Sequence, residues 1–376
     1  MIVYFDNAAT TKVCEAAIDA MNSVMQEMYG NPSSMHRMGR QASALIETAR
    51  KSIADTMSAN PKNIYFTSGG TEANNWAVLG LAELQSRKGR HIITSATEHD
   101  SVMQPIKKLE SIGWEVTYLM PDSMGRLPFE AFAKALREDT AFASIMLVNN
   151  EVGSINTISE YASEIKRRNY STLLHTDAVS AFCKIPMTIK TLSADLISIS
   201  AHKLHGPKGV GALYIKDGLN QPAALLGGSQ ENGRRPGTEA LPAIVGFGQA
   251  VIYWQNDYSA THDHIKKLHT YAVSSLGKML PEAVFISQGD CPYLLSLSLP
   301  GHKSEVLMSF LDSEGICVSK SSACKKGARS RVLEAMRLNN EIIDGAIRIS
   351  FSRYNTFDEV DCLVTALKRA SKTLLK

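Results

Sequence analysis

The sequence has no CxxC pair and no Cys/His pattern at metal-ligand spacing. Its six cysteines, at positions 14, 183, 291, 317, 324 and 362, are scattered, which argues against a disulfide framework and against a zinc site, and no metal is expected. No apolar run approaches the length that crosses a bilayer, and the opening MIVYFDNAATTK has neither the basic stretch nor the long apolar stretch of a secretory leader. The expectation is a cytoplasmic protein with no membrane contact. An excess of one charge sign is also missing: 40 Lys and Arg against 37 Asp and Glu leave +3 over 376 residues, too little for an electrostatic footprint on nucleic acid. Internal repeats, low-complexity tracts and flexible linkers are absent as well. What is present, with 44% hydrophobic residues, is a chain long enough for one large core plus a smaller lobe, and its expected substrate is a small molecule.

From about residue 60 to 216, short β-rich runs alternate with helical patterns, which predicts an α/β fold with a mostly parallel seven-stranded sheet and helices on both faces. The strand candidates are Ile64 to Thr67, His91 to Ser95, Glu115 to Met120, Ala143 to Val148, Thr172 to Asp177, Leu196 to Ser200 and Gly211 to Ile215. Phe129 to Arg137 and Ser159 to Arg168 repeat their apolar residues at helical spacing. A long helix is expected over Glu239 to Trp254. The pattern then becomes α+β, with strands near Tyr293 to Leu299 and Ala346 to Phe351 and a last helix from Phe357. The domain division this implies is a large domain over 15–257 and a small one made of 1–14 and 258–376.

Ligands of open α/β sheets lie beyond the carboxyl ends of the strands, and three polar clusters sit there. In SGGTEANN a strand runs through Gly69, Gly70 and Thr71 into a helix, where glycine lets backbone amides approach an anion and the helix dipole favours it; Gly70 and Thr71 form a candidate phosphate cradle. In SAHKLHGPKG, Lys203 follows an apolar strand beside a hydroxyl and an imidazole. A desolvated lysine there can lose its proton and form an imine, with Ser200 and His202 available to phosphate oxygens. In LLHTDAVSA, Asp177 closes a strand with a carboxylate able to hold a protonated pyridine nitrogen. Cradle, amine and carboxylate are the parts that pyridoxal 5'-phosphate (PLP) requires.

Together these motifs resemble the cysteine desulfurases of the NifS/IscS type, in the class V aminotransferase branch of the fold type I PLP enzymes. The likeness covers nearly the whole chain: YFDNAATT at Tyr4, NPSSMH at Asn31, SGGTEANN, ATEHDSV at Ala96, VNNEVGSI at Val148, SAHKLHGPKG, GGSQENGRRPGT at Gly227, SKSSACKKG at Ser319 and IRISFSRYNT at Ile347. The resemblance implies that His99 stacks on the pyridine ring and shares in catalysis. It also implies that Asn150 lies near the substrate carboxylate and the cofactor O3', that Arg348 pairs with that carboxylate, and that Asn7 is a further substrate contact. Thr238 is similar to a threonine that reaches the phosphate of the neighbouring subunit, which implies a homodimer. One position departs from the family pattern: Ser180 stands where a glutamine usually donates to O3'. Ser352, where glycine is common, is a lesser departure.

Transfer of sulfur also needs a nucleophile, and the candidate is Cys324, in the small and polar run SKSSACKKGARS. Lys325, Lys326, Arg329 and Arg331 make its surroundings electropositive. An ordinary thiol with pKa about 8.5 is only a few per cent ionised at neutral pH, and a fall of roughly 1.5 units, about 2 kcal/mol, makes half of it thiolate. The resemblance implies conversion of L-cysteine to L-alanine, with a persulfide on Cys324 passed to an acceptor protein, either an iron–sulfur scaffold or a tRNA-thiolation enzyme. Another class V PLP enzyme, a selenocysteine lyase or an aminotransferase, uses Lys203 and Asp177 equally well. The serine at position 180 also leaves open a catalytically weak sulfur-relay scaffold.

Overall fold

The structure, a computed structural model, describes residues 2–168, 170–287, 290–320 and 329–374. A short strand, β1 (Val3–Tyr4), precedes the large sheet, which is built from β2 (Ile64–Thr67), β3 (His91–Ser95), β4 (Glu115–Leu119), β5 (Thr140–Ser144), β6 (Leu173–Asp177), β7 (Leu196–Ser200) and β8 (Gly211–Ile215). Their spatial order is β2-β8-β7-β6-β5-β3-β4, and β8 alone runs against the others. Both faces are covered, and consecutive strand residues show it. Ile92, Phe142, Leu196 and Leu213 join one apolar cluster, whereas their neighbours Ile93, Ala143, Ile197 and Ala212 join another, as alternation across a pleated sheet demands. The first cluster is closed by Gly70–Gln85 and Asp100–Glu110, the second by Leu241–Asn256 with Glu15–Glu27 and Arg37–Met57. Helix 241–256 comes so near helix 37–57 that a Cβ on Gly248 would lie 2.7 Å from the Ala49 backbone.

The strands agree with the sequence pattern to within a residue or so except one. β5 begins at Thr140 and ends at Ser144, not at Val148. The more apolar run 145–148 is buried and still bonded to β6, through Ile145 N to His175 O and Leu147 N to Asp177 O. On its other side β3 has already ended, and Met146 of this run lines the cleft that opens there.

A second sheet follows. Its strands are β9 (Val284–Ser287), β10 (Leu294–Ser298), β12 (Ser319–Lys320) and β13 (Ala346–Ser350), antiparallel in the order β12-β13-β10-β9, while β11 (Ile316–Cys317) pairs with β1. Helix Tyr258–Met279 packs on Phe357–Thr373, whose start is fixed by a capping box between Thr356 and Glu359. One apolar cluster runs without a break from Phe66 and Ile197 to Leu295 and Leu363, so the two layers share a core. No helix among the described residues is long and apolar enough to cross a membrane.

The segment between β8 and helix 241–256 has no strand or long helix of its own and is clamped by a buried carboxylate. Glu231 accepts from Arg50 at 2.7 and 2.9 Å and from Phe66 N at 2.9 Å. These bonds hold Glu231 and Asn232 in the left-handed region, at φ 49° and 57°. Substituting Arg50→Ala strands that carboxylate and is expected to cost about 3–5 kcal/mol, read as a lower urea midpoint. An unchanged midpoint would show that Glu231 is held by Phe66 alone.

Candidate active site

The carboxyl ends of β2, β3, β6 and β7 open into one cavity of about 630 Å³, closed on the far side by β13 and the residues that follow 328. Gly70, Thr71, His99, Asn150, Asp177, Ser180, His202, Lys203 and Arg348 all line it. Residues more than 270 positions apart in the sequence are thus brought together by strand topology.

Lys203 ends the turn that follows β7, and its Nζ donates to the carbonyls of Ala8 and Ala9, the latter at 2.9 Å. Neither acceptor is charged. Burial, with Lys184 and Arg348 nearby, pulls its pKa from 10.5 down to about 7 against the opposing pull of Asp6 and Asp177, so a large share of this amine is neutral at physiological pH. Burial and the surrounding lysines likewise lower His202 to about 4 and keep it neutral.

Asp177 closes β6. One carboxylate oxygen accepts from Val179 N at 2.9 Å and the other from Asn74 Nδ2 at 2.7 Å. Asn74 also donates to Ser101 Oγ at 2.8 Å, and Ser101 in turn bonds His99, whose Nδ1 accepts the Ser101 amide at 3.1 Å. A ring nitrogen that accepts a backbone N–H is unprotonated, so the proton of neutral His99 lies on Nε2. Carboxylate, amide, hydroxyl and imidazole therefore form one chain along the cavity wall.

Helix Gly70–Gln85 starts without any side-chain cap, which leaves its first amides free for an anion. A Cβ on Gly70 would come within 2.7 Å of Val179, so glycine is what keeps this approach open. Ser200 does not itself line the cavity, but its Oγ is buried without a partner beside Gly70. Arg348 on β13 is 3% exposed, donates to Asn150 O at 2.8 Å and to Asp6 Oδ1 at 3.1 Å, and keeps a buried Nε unpaired.

Two sequence candidates lie elsewhere. Asn7 is buried outside the cavity lining, its amide donating to Ser350 O at 2.9 Å and Tyr4 O at 3.2 Å. Thr238 is exposed and borders a separate groove with Tyr29, Asn31 and Pro32. Cys324 lies outside the described residues, as do Lys325 and Lys326. Sequence reasoning missed Asn74, Glu98 and Glu151, all of which line the cavity. Burial lifts Glu98 well above the usual carboxylate range and Glu151 to about 7, the latter against the Ser330 hydroxyl and Arg348. All three stand inside the quoted motifs, SGGTEANN, ATEHDSV and VNNEVGSI, and that adjacency was the available signal.

The chain belongs to the class-V aminotransferase family, whose sequence profile matches residues 3–363. Within it, the chain is 39% identical over 377 residues to the cysteine desulfurase IscS of Dictyoglomus turgidum, spanning 99% of this chain and 95% of that protein. Identity to the cysteine desulfurase IscS of Methanosarcina thermophila is 40%, over 96% of this chain and 89% of the other. A solved NifS-like protein superimposes with a TM-score of 0.94 at 38% identity, covering 100% of both chains.

Asn74→Ala removes a donor from the Asp177 carboxylate. A hydrogen bond to a charged group is worth about 1.5–3 kcal/mol, so affinity for PLP is expected to fall roughly tenfold or more in a cofactor titration. Unchanged affinity would show that the Val179 amide orients Asp177 unaided.

Proposed function

We propose that this chain is a PLP-dependent cysteine desulfurase that converts L-cysteine to L-alanine and takes the sulfur on Cys324. The observation that carries the reading is the meeting of Lys203, Asp177 and Arg348 in one cavity. The residues fit the cofactor. The uncapped helix at Gly70, Thr71 and the orphaned Ser200 hydroxyl suit a phosphate, with His202 alongside. Asp177 suits a ring nitrogen, His99 a ring face, and Asn150 and Ser180 the ring hydroxyl. When bound, PLP supplies an aldehyde for amines and a ring that withdraws electrons from Cα of an amino acid.

The protein's own groups do the rest. Lys203 presents a neutral amine at the start, and once the substrate amine has taken its place it holds the Cα proton at Nζ. Arg348, already steered by Asp6 and Asn150 O, pairs with the substrate carboxylate and fixes which bond of Cα lies next to Lys203. Cys324 then attacks the substrate sulfur: an S–S bond forms, the C–S bond breaks, and the protons of the two thiols are shared between persulfide and alanine. Thiol plus L-cysteine gives persulfide plus L-alanine, so no outside oxidant or reductant is needed. The flanks of the Cys324 segment support this reading. Ser319 pairs in register with Arg348, and Arg329 and Arg331 border the cavity, where Arg331 bonds Asp100 at 2.9 Å.

The sulfur acceptor is a separate protein. The exposed position of Thr238, outside its own cavity, supports its service to the partner of a homodimer. Residues 15–257 form the cofactor domain in this reading, with 1–14 and 258–376 as the small one.

Incubating PLP-loaded protein with L-cysteine is expected to release alanine and to add one sulfur to the Cys324 peptide, as read by mass spectrometry. Cys324→Ser should lose the added sulfur while Lys203 still captures PLP on borohydride reduction. Alanine without persulfide would refute the sulfur-carrier role, and an unmodified Lys203 would refute the cofactor assignment.

A further inference from the structure

The segment from Asn7 to Thr11 runs between the Lys203 turn and β13 and is bonded to both. Thr11 ties it to the turn: its amide and its hydroxyl both donate to His202 O, at 3.0 and 2.8 Å, and the hydroxyl accepts from His205 N at 2.8 Å. The attachment on the other side is Ser350, the last residue of β13 and 1% exposed. Its Oγ donates to Phe5 O at 3.0 Å and accepts from Ala8 N at 2.8 Å, and its carbonyl accepts from the Asn7 amide at 2.9 Å. The carbonyl of the same Ala8 accepts from Lys203 Nζ, as does that of Ala9 at 2.9 Å. Only one residue therefore separates the serine hydroxyl from the lysine amine: Ser350 holds the N–H of Ala8, and Lys203 is held by its C=O.

We infer that Ser350 is a positioning residue for Lys203: acting through Ala8, it fixes the pair of carbonyls on which the lysine amine rests whenever that amine is free. The inference rests on reading Lys203 as the imine-forming residue and deepens that reading. Two acceptors and the bond to Cε take up three corners of a tetrahedral nitrogen. The fourth corner holds the lone pair of the neutral amine or the third proton of the ammonium. One direction thus serves both attack on an aldehyde and removal of a proton from Cα, and seating the amine aims it. Alternate residues of β13 share a face: Ile347 and Ile349 enter the apolar core, whereas Arg348 and Ser350 lie on the other side. Arg348 lines the cavity two positions before the serine. A single strand in this way spaces the group that pairs with the substrate carboxylate against the group that takes the Cα proton.

The whole chain, prepared without PLP, is labelled with an amine-reactive reagent across a broad pH range, and modification of Lys203 is followed by peptide mass spectrometry. The wild type is compared with Ser350→Ala, with Ser350→Cys, whose thiol fills similar space but accepts weakly, and with Ser350→Thr, which keeps a hydroxyl. Circular dichroism is the check on folding. The wild-type midpoint is expected near 7. Carbonyl acceptors favour an ammonium over an amine, so displacing them in Ser350→Ala and Ser350→Cys should lower the midpoint by roughly 0.5–1 pH unit, while Ser350→Thr should restore it. The charged groups that act on this amine, Lys184, Arg348, Asp6 and Asp177, are present in every variant. A midpoint that is unmoved or raised in either folded loss variant overturns the proposal, as does a fall that Ser350→Thr shares. Loss of folding in both Ser350→Ala and Ser350→Cys assigns these bonds to stability and overturns it too. Borohydride capture of PLP by wild-type Lys203 is read in parallel. Its absence rejects the imine-forming reading, whereas capture together with an unmoved Ser350→Ala midpoint rejects the role of Ser350 alone.

Discussion

An ammonium group does not keep its proton readily where water is excluded, and the working of this cavity depends on that. Desolvation brings Lys203 to about 7 and His202 to about 4, and it acts in the opposite sense on acids, lifting Glu98 well above its ordinary range and Glu151 to about 7. One cause thus yields an amine and an imidazole that are readily neutral beside carboxyls that are readily protonated. Two further groups of the cavity are held by direct partners. Asp177 is held by the Val179 amide and Asn74, and Arg348 by Asp6 and the Asn150 carbonyl.

Much of this arrangement was legible in the sequence. Strand ends were easy to read because each is an apolar run that stops at a small or polar residue, and Lys203, Asp177, Gly70 and Thr71 stand at those stops. β5 was misplaced because hydrophobicity reports burial, not pairing: Ile145 to Val148 are as buried as any strand, but β3 has ended beside them. Asn74, Glu98 and Glu151 were overlooked for a related reason. A polar residue on an amphipathic helix or in a loop reads as solvated, and only the folded chain shows that Glu98 is 1% exposed with one carboxylate oxygen unpartnered. Asn7 was assigned by motif, and its amide turns out to be engaged with the backbone near β13 and β1.

Ser180 changes the shape of the site in a definable way. It lines the cavity and has no hydrogen-bond partner among the described residues, and its side chain is shorter by two carbons than the glutamine usual in the resembling family. The cavity wall beside Asp177 is correspondingly less filled, which favours a bridging water at that point. Lys203, Asp177 and Arg348 line the same cavity with this serine in place.

The pairing of β1 with β11 has a consequence for how the molecule matures on the ribosome. The carbonyls that receive the Lys203 amine belong to Ala8 and Ala9, and that stretch is fixed by Val3 against Ile316, Phe5 against Cys317 and the Ala8 amide on Ser350. Partners more than 300 positions apart are made very late in synthesis, and contacts of such long range are slow to form. The nascent chain can assemble its large sheet well before the carbonyls that receive the Lys203 amine are in place, so the completed lysine site is a product of finished translation and not of the emerging chain.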